Sequence, residues 1–341
     1  MHAPDRPEFQ KRPIGTSGVE VSTLGFGAAT LGNLYSAVDD SAAQAAVTTA
    51  LQQGIHYFDT APYYGYGLSE QRLGQALHAE PAQRAVISTK VGRLIVSDTA
   101  QHQPAGDFAV SGHSAVFDYS RDGILRSFES SLQRLGRDRV DILLLHDIGR
   151  VTHGPLHEPR LKQALDEALP TMAHLKSSGA CRAIGIGVNE EAVCLEIMER
   201  FDLDCILLAG RYTLLEHQSA HGVMEEARRR GVGIMVGGAF NSGLLADAKA
   251  PGKTYDYRPV EEPVLERARR LYAVCASHNV DVGAAALQFV LAHPAVVAVI
   301  AGLRSEAEVL SAVARVQTRL PDSLWESLRG AGLLLPDVPT P

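Results

Sequence analysis

The sequence lacks several features that would assign it to particular classes of protein. It has no long basic run, and 32 Lys and Arg against 39 Asp and Glu give a net charge of −7. Sequence-independent binding to nucleic acid needs Lys and Arg concentrated against phosphates, so no nucleic-acid partner is expected. No uninterrupted apolar run approaches the length that crosses a membrane, and residues 1–13 lack the apolar core of a signal peptide. We therefore expect a cytoplasmic protein without a membrane partner.

Patterns for metal binding and disulfide bonding are also absent. The cysteines show no CxxC spacing, and three of the four lie inside apolar stretches, which predicts buried, reduced thiols. They are Cys181, Cys194, Cys205 and Cys275. No pair of histidines has the spacing and the accompanying Glu of a helical zinc site, so we expect no bound metal.

What is present is a repeated pattern of a short apolar run, a turn and a longer amphipathic segment. Eight such repeats without a linker predict a closed (β/α)8 TIM barrel that forms one domain over residues 1–341. A doubly wound sheet would need a GxGxxG sequence after an early strand, but Gly25-Phe26-Gly27 is followed by Ala28-Ala29-Thr30. The apolar runs are 24–28, 55–58, 85–89, 141–145, 182–187, 205–208, 233–236 and 296–301.

Other segments surround the predicted barrel, which spans about residues 23–316. A hairpin is expected at about 11–22, and a C-terminal tail helix at about 321–335 packs through Trp325. Three connections are longer than a barrel requires, and each follows the carboxyl end of a predicted strand. Because barrels carry their active sites at that end, these connections are expected to be loops that shape a substrate pocket. They are 91–120, 147–160 and 238–262.

Polar residues end three neighbouring strands of the predicted barrel. These are Asp59, Lys90 and His146, and Tyr64 lies in the turn after Asp59, ahead of a helix for which Ser69 is the predicted N-cap. A lysine cation can lower the pKa of a tyrosine, an aspartate can fix the lysine, and a histidine can orient the same substrate oxygen. Together these side chains predict proton transfer, whereas each one alone could simply cap a strand.

These four residues resemble the catalytic tetrad of the aldo-keto reductases. The resemblance implies that Tyr64 in DTAPYYG is the acid/base, that Asp59 and Lys90 tune it, and that His146 in LLLHD orients the substrate. Longer stretches resemble the D-threo-aldose 1-dehydrogenase branch of that family, to which pyridoxal 4-dehydrogenase is close. They are FDTAPYYGYGLSEQRLG, FDYSRDGILRSFESSLQRLG, LLLHDIG, AGRYTLLEH and GGAFNSGLL.

The resemblance also implies contacts to a nicotinamide cofactor. Asn189 in GIGVN resembles the residue that holds the carboxamide, and the segment from Gly302 through Arg304 grips the adenosine phosphate, with Ser305 as a helix cap. Gly237-Gly238 occupy the position where relatives often have an aromatic stacked on nicotinamide. Either Phe240 takes that role from the following loop, or no residue does. The other expected cofactor contacts, of which the first two have an equally good structural interpretation, are Arg211, Tyr212, Asn241 and Gly243.

One position bears on the choice between NAD and NADP. Glu308 is predicted in the first turn of the last barrel helix, where many NADP-binding relatives have Arg. A carboxylate repels an added phosphate but can accept a hydrogen bond from a ribose hydroxyl, which favours NAD. NADP stays open because Arg304 and Arg315 could pair with a phosphate.

The implied reaction is oxidation of the C1 hemiacetal hydroxyl of an aldose such as L-fucose to a lactone. Pyridoxal also forms a cyclic hemiacetal, and its oxidation to 4-pyridoxolactone stays open, as does general reduction of aldehydes. A lyase with a Schiff base on Lys90 would need a neutral lysine, which Asp59 disfavours. The last alternative is a non-catalytic barrel that senses nicotinamide, and we expect a monomer or a small homo-oligomer.

Overall fold

The computed structural model describes residues 9–78, 85–98, 108–249, 254–255 and 258–341. Its strands, in chain order, are β1 (Lys11–Pro13), β2 (Glu20–Ser22), β3 (Leu24–Gly27), β4 (Tyr57–Asp59), β5 (Val86–Val91), β6 (Arg93–Ser97), β7 (His113–Phe117), β8 (Ile142–His146), β9 (Ala183–Val188), β10 (Cys205–Ala209), β11 (Gly233–Gly237), β12 (Thr254–Tyr255), β13 (Arg258–Pro259) and β14 (Val296–Gly302).

The α-helices alternate with these strands. They are α1 (Asp40–Gln52), α2 (Leu68–Ala76), α3 (Arg121–Leu135), α4 (Arg150–His153), α5 (His157–Gln163), α6 (Leu169–Ser177), α7 (Glu191–Arg200), α8 (His221–Arg230), α9 (Glu262–Ser277), α10 (Val282–Ala292), α11 (Glu306–Gln317) and α12 (Asp322–Gly330). Short 3-10 segments lie at Ala28–Gly32 and Gly154–Leu156, and a π-helical segment lies at Ala164–Ala168.

Eight parallel strands close into a barrel in the order β10-β11-β14-β3-β4-β5-β8-β9. Each of them overlaps one of the eight apolar runs, so the predicted TIM barrel is confirmed. Strands of a parallel barrel are covered on both faces, which is why these segments are nearly continuous apolar runs. Polar side chains in such strands therefore concentrate at the strand ends.

Two apolar layers hold the barrel together. The larger cluster lies between the strands and the surrounding helices, and it includes the buried Trp325 of the predicted tail helix. A second cluster joins inward residues such as Tyr57, Leu144 and Met235 to the N-terminal hairpin. The hairpin was predicted at 11–22, and its strands β1 and β2 pair antiparallel as expected.

The predicted cap of α2 was wrong. The helix begins at Leu68 after Gly67, which has a φ of 96°, so Ser69 lies inside the first turn. The Ser69 hydroxyl instead donates to the Ala28 carbonyl at 2.6 Å and lies 2.8 Å from the Thr60 hydroxyl. The turn after β4 therefore ends at Gly67. Through these hydrogen bonds the buried Ser69 links the start of α2 to the segment after β3.

The three long connections contain more regular structure than was predicted. Within 91–120, β6 and β7 form an antiparallel pair, and residues 99–107 lie outside the described ranges. The 147–160 connection is largely helical rather than a loop; Pro155 stands in the first turn of its 3-10 segment, where a missing N–H costs nothing. The 238–262 connection holds the short β12–β13 pair, with residues 250–253 and 256–257 outside the described ranges.

The described residues include no single helix that is both long and apolar enough to cross a membrane. Helices α9 and α10 reach that length and apolar character only when taken together, and the chain bends by 100° between them. The four free cysteines are buried, as predicted. Burial raises the pKa of the Cys181 and Cys275 thiols to about 12 in each case.

Two buried histidines outside the barrel mouth should make stability depend on pH. Burial lowers the pKa of His217 and of His293 to about 4, against about 6.5 in an unfolded chain. Each neutral ring accepts a backbone N–H, from Leu335 to His217 and from Ala295 to His293. Between these pKa values the unfolded chain binds protons that the folded chain excludes. The free energy of unfolding should therefore fall as pH drops from about 6.5 towards 4, by up to about 1.4 kcal/mol per pH unit for each histidine.

Denaturant titrations at a series of pH values measure this effect. Replacing both residues, by His217→Gln and His293→Gln, should flatten the dependence, whereas replacing the exposed His113 by Gln should leave it unchanged. An equally steep loss of stability in the double variant would contradict the assignment.

Candidate active site

Two buried charges of opposite sign meet at the carboxyl ends of β4 and β5. The Lys90 ammonium donates to both oxygens of Asp59, at 3.0 and 2.7 Å, and to the Thr60 carbonyl at 2.9 Å. The two side chains are only 2% and 5% exposed. The lysine ammonium thus donates its hydrogen bonds to the Asp59 carboxylate and the Thr60 carbonyl, which lie at the end of β4. These bonds fix its position.

Two buried hydroxyl groups, those of Ser88 and Tyr57, extend the hydrogen-bond network of Asp59. Ser88 donates to an Asp59 oxygen at 2.7 Å, and the Tyr57 hydroxyl lies 3.0 Å from the Ser88 hydroxyl and 2.8 Å from the Met235 sulfur. All of these residues are buried. Sequence analysis missed this support because it treated these positions simply as interior strand residues.

Tyr64 stands on the turn between β4 and α2. Its ring centroid lies 4.6 Å from the Lys90 nitrogen and 6.0 Å from the His146 ring, which is nearly perpendicular to it. The next residue, Gly65, has a φ of 62°, and a Cβ there would lie 2.4 Å from the Gly32 carbonyl oxygen. Glycine is therefore required for this turn to pack closely against the Ala28–Gly32 segment.

The pKa of Tyr64 is not lowered as the sequence suggested. Burial raises the pKa of the phenol, the Lys90 cation opposes this, and the net shift is upward. Burial is the largest single influence on the pKa of Lys90 and lowers it, but Asp59 and Tyr64 together raise this pKa by more, so the net shift is upward and the ammonium stays charged. Desolvation was not considered at the sequence level, and it exceeds the effect of the cation.

His146 is the last residue of β8. Burial, together with the positive charges of Arg93 and Lys90, lowers its pKa well below the usual value, so its ring is neutral. Its Nε2 lies 3.5 Å from an Asp147 oxygen, and its buried Nδ1 has no partner among the described residues. A neutral imidazole offers one donor and one acceptor, which suits orientation of a substrate oxygen.

The four predicted residues lie together at a cavity of about 240 Å³. Tyr64, Lys90, His146 and Asn189 line the cavity, and Asp59 lies behind the lysine. The Arg211 guanidinium lies next to Asn189 of the cavity wall, and its Nε donates to the Asn189 carbonyl at 2.7 Å. The spatial convergence expected from the strand ends is thus present, although the role of each residue stays a prediction.

The expected cofactor contacts after β10 and β11 occupy different environments. The Tyr212 ring stacks on Phe289 at 5.4 Å in the apolar core, away from the cavity wall. The Phe240 ring lies 5.5 Å from the Arg315 guanidinium. Asn241 is 4% exposed, and neither atom of its amide has a partner among the described residues. Such a buried, unsatisfied amide fits a position that binds a ligand.

At the other end of the expected cofactor site, Ser305 caps α11 by accepting a hydrogen bond from the Glu308 N–H at 3.3 Å. Glu308 is in the first turn, as expected, but its carboxylate accepts from the Arg304 Nε at 2.8 Å. This pairing offsets much of the negative charge on which the preference for NAD was based. Gly302 ends β14 beside this cap, and Gly243, with a φ of 91°, lies in the turn after Asn241.

Sequence reasoning missed several residues of the cavity wall. Arg93, Asp147, Tyr63 and Phe108 all line it, and Thr152 reaches it from α4. Arg93 comes two residues after β5 and Asp147 one residue after β8. A polar residue at the end of a barrel strand is the same signal that drew attention to Asp59 and His146. Phe108 could not have been found in this way, because it comes from the long 91–120 connection.

Comparisons with known proteins agree with this geometry. Residues 23–332 match the model of the aldo/keto reductase family. Pyridoxal 4-dehydrogenase of Microbacterium luteolum is 40% identical over 95% of this chain and 98% of that protein. D-threo-aldose 1-dehydrogenase of a Pseudomonas species is 37% identical over 95% of this chain and 97% of that protein.

A solved structure shares the fold. The holo form of the aldo-keto reductase AKR11C1 from Bacillus halodurans is 26% identical, matches 97% of this chain and 98% of that chain, and has a TM-score of 0.75. The chain belongs to the aldo/keto reductase family, a family of oxidoreductases that use NAD(P)H.

The buried pair should make single substitutions costly. Lys90→Met keeps the length of the side chain but leaves the Asp59 charge buried without its partner, which should cost about 3–5 kcal/mol of unfolding free energy. Asp59→Asn should be similarly destabilising. The double variant should lose less than the sum of the two, because neither charge is then uncompensated. Denaturant unfolding of the four proteins measures this coupling, and strictly additive losses would contradict it.

Proposed function

We propose that this protein is an NAD(P)-dependent dehydrogenase that oxidises the C1 hemiacetal hydroxyl of a cyclic aldose to a lactone. The observation that carries this proposal is the meeting of Tyr64, Lys90 and His146 on one cavity wall, with Asp59 paired to the lysine. Similarity to D-threo-aldose 1-dehydrogenase over most of both chains supports the substrate class.

The cofactor suits the residues that are present. Asn189 lines the cavity, Asn241 carries a buried amide without a partner among the described residues, and Ser305 begins α11 at the opposite end. Asn189 would hold the carboxamide, and the Gly302 to Ser305 segment would hold the adenosine phosphate. When bound, the nicotinamide would take up the hydride from the substrate carbon. We propose NAD as the preferred form, although the ion pair between Arg304 and Glu308 leaves NADP as a direct alternative.

The protein's own residues handle the proton. Tyr64 accepts the proton of the hemiacetal hydroxyl, and Lys90 favours the ionised form of the phenol because its charge is maintained by Asp59. His146, neutral because of its burial, donates a hydrogen bond to the reacting oxygen and fixes its direction. A charged Lys90 is unsuited to a Schiff base, which argues against the lyase alternative.

Pyridoxal is the second candidate substrate. Pyridoxal 4-dehydrogenase of M. luteolum is 40% identical to this chain. Tyr63, Tyr64 and Phe108 line the cavity, and the Phe108 ring contacts the rings of both tyrosines. An aromatic substrate ring would find stacking partners there. The chemistry at Tyr64 is the same for both substrates, since pyridoxal also cyclises to a hemiacetal.

The activity test is the appearance of reduced nicotinamide with L-fucose, D-arabinose, L-galactose or pyridoxal, in the presence of NAD or NADP. We expect the wild-type protein to oxidise at least one sugar. Tyr64→Phe should lower turnover by about 10²- to 10⁴-fold, the usual contribution of a general acid or base. Tyr66→Phe, in the same turn but outside the cavity wall, is the matched control and should keep turnover. If folded wild-type protein reduced neither cofactor with any of these substrates, the proposal would be refuted. Turnover with pyridoxal alone would refute the aldose as substrate and favour the second candidate.

The raised pKa of Tyr64 gives a second test. Oxidation needs the tyrosine to accept a proton, so its rate should rise with pH through the alkaline range, whereas reduction of an aldehyde should slow. Initial rates in both directions across pH, with a stability check at each value, measure this. A profile that is flat above neutral pH would mean that a group other than Tyr64 limits proton transfer.

We also propose that the chain forms one domain, works in the cytoplasm and is a monomer or a small homo-oligomer. The match to a single family model over residues 23–332 supports the first point. Size-exclusion chromatography with light scattering tests the oligomeric state.

A further inference from the structure

Two charged residues of the cavity wall have no part in the proposed proton transfer. Arg93 follows Lys90 by three residues, and Asp147 directly follows His146. Their side chains form an ion pair and are 11% and 21% exposed. Both line the cavity that contains Tyr64 and His146.

Aromatic rings hold Arg93 in place. Its guanidinium carbon lies 4.0 Å from the ring centroid of Tyr63 and 4.4 Å from that of Phe117. A guanidinium between two rings is restrained on both faces, so its donors can act only along its edge. The edge of the guanidinium donates to the Asp147 carboxylate. Arg93 therefore holds this carboxylate in position.

The backbone of Asp147 is held by hydrogen bonds. Its φ of 49° is in the left-handed region, which Asp adopts more readily than most residues. Its N–H donates to the Gly187 carbonyl at 2.9 Å, and the Tyr119 hydroxyl donates to its carbonyl at 3.1 Å. This conformation turns the carboxylate towards the cavity, where one oxygen lies 3.5 Å from the His146 Nε2.

We propose that Asp147, positioned by Arg93, determines specificity by accepting a hydrogen bond from the hydroxyl on the carbon next to the reacting carbon. This inference rests on the proposed function, in which His146 binds the reacting oxygen. The two oxygens of a vicinal diol are separated by about the length of a hydrogen bond. A diol can therefore place one oxygen on His146 and the other on the neighbouring carboxylate.

The chemistry of a carboxylate defines the substrate class. An ionised carboxylate only accepts hydrogen bonds, so it favours a hydroxyl donor. A site built to bind a hydroxyl rejects an analogue without one more strongly than an apolar pocket discriminates by size. The favoured substrate is thus a cyclic hemiacetal with a C2 hydroxyl. Pyridoxal has an aromatic carbon without a hydroxyl at the corresponding position and would leave Asp147 without this bond.

The experiment compares a sugar with its 2-deoxy analogue. The sugar is the one from the panel that the wild-type protein oxidises fastest; for D-arabinose the analogue is 2-deoxy-D-ribose. The quantity measured is the ratio of kcat/KM for the sugar to kcat/KM for the analogue. Every variant is given the same two solutions, so differences in ring form between the sugars cancel when this ratio is compared between proteins.

Asp147→Asn should lower the ratio about tenfold, because a charge-assisted hydrogen bond becomes a neutral one. Asn also tolerates the left-handed backbone, so the fold should persist. Arg93→Met keeps an unbranched apolar side chain between the two rings but removes the charge that holds Asp147 in position. It should also lower the ratio about tenfold. Combining the two should have little further effect. Glu158→Gln, which removes a carboxylate from an exposed ion pair on the same connection, should leave the ratio unchanged.

The outcomes separate this inference from the proposed function. A wild-type protein that oxidises sugars, with the ratio unchanged in Asp147→Asn and Arg93→Met, would overturn the inference and leave the proposed function intact. Oxidation of pyridoxal alone would overturn the inference, because no C2 hydroxyl would be recognised, and it would replace the aldose by pyridoxal in the proposed function. If folded wild-type protein oxidised no hemiacetal, the proposed function would fail and the inference with it. Thermal unfolding of each variant confirms that a changed ratio belongs to a folded protein.

Discussion

The buried ion pair between Lys90 and Asp59 is the interaction on which the rest of the site depends. Neither charge would be stable there alone, because burial penalises an isolated ion heavily. Ser88 and the Thr60 carbonyl complete their hydrogen bonds, and the closed barrel keeps water away from them. The barrel thus stabilises a fixed cation beneath the Tyr64 ring. Water could not do so, because it would screen the charge and let the lysine move.

Around that pair, aromatic and charged side chains line the cavity together, and the Arg93 guanidinium lies against the Tyr63 ring. Tyr63, Tyr64 and Phe108 form an aromatic wall, whereas Arg93 and Asp147 form an ion pair beside His146. The Arg93–Asp147 pair is held in place by the rings of Tyr63 and Phe117 and by backbone hydrogen bonds of Asp147. A site with both characters suits a small cyclic substrate that has a flat or apolar face and a polar edge.

Prediction from the sequence succeeded where a residue's environment is set by local pattern. Continuous apolar runs separated by turns identified every strand of the barrel. The polar residues at the strand ends, Asp59, Lys90 and His146, lie close together as expected, while their roles stay a prediction. It failed where distant segments decide the outcome. Ser69 is not a cap because the Ala28 carbonyl takes its hydroxyl, and the Tyr64 pKa rises because burial outweighs a neighbouring cation.

The sequence by itself determined the barrel, its family and the strand ends at which chemistry is expected, because the period of apolar residues and the order of strands are encoded along the chain. Only the tertiary structure decided which side chains touch. It stacked Tyr212 on Phe289 and placed Arg93 between two rings from different segments. Such contacts depend on closure of the ring of strands, which brings residues far apart in sequence within a few ångströms and excludes the solvent that would otherwise screen them.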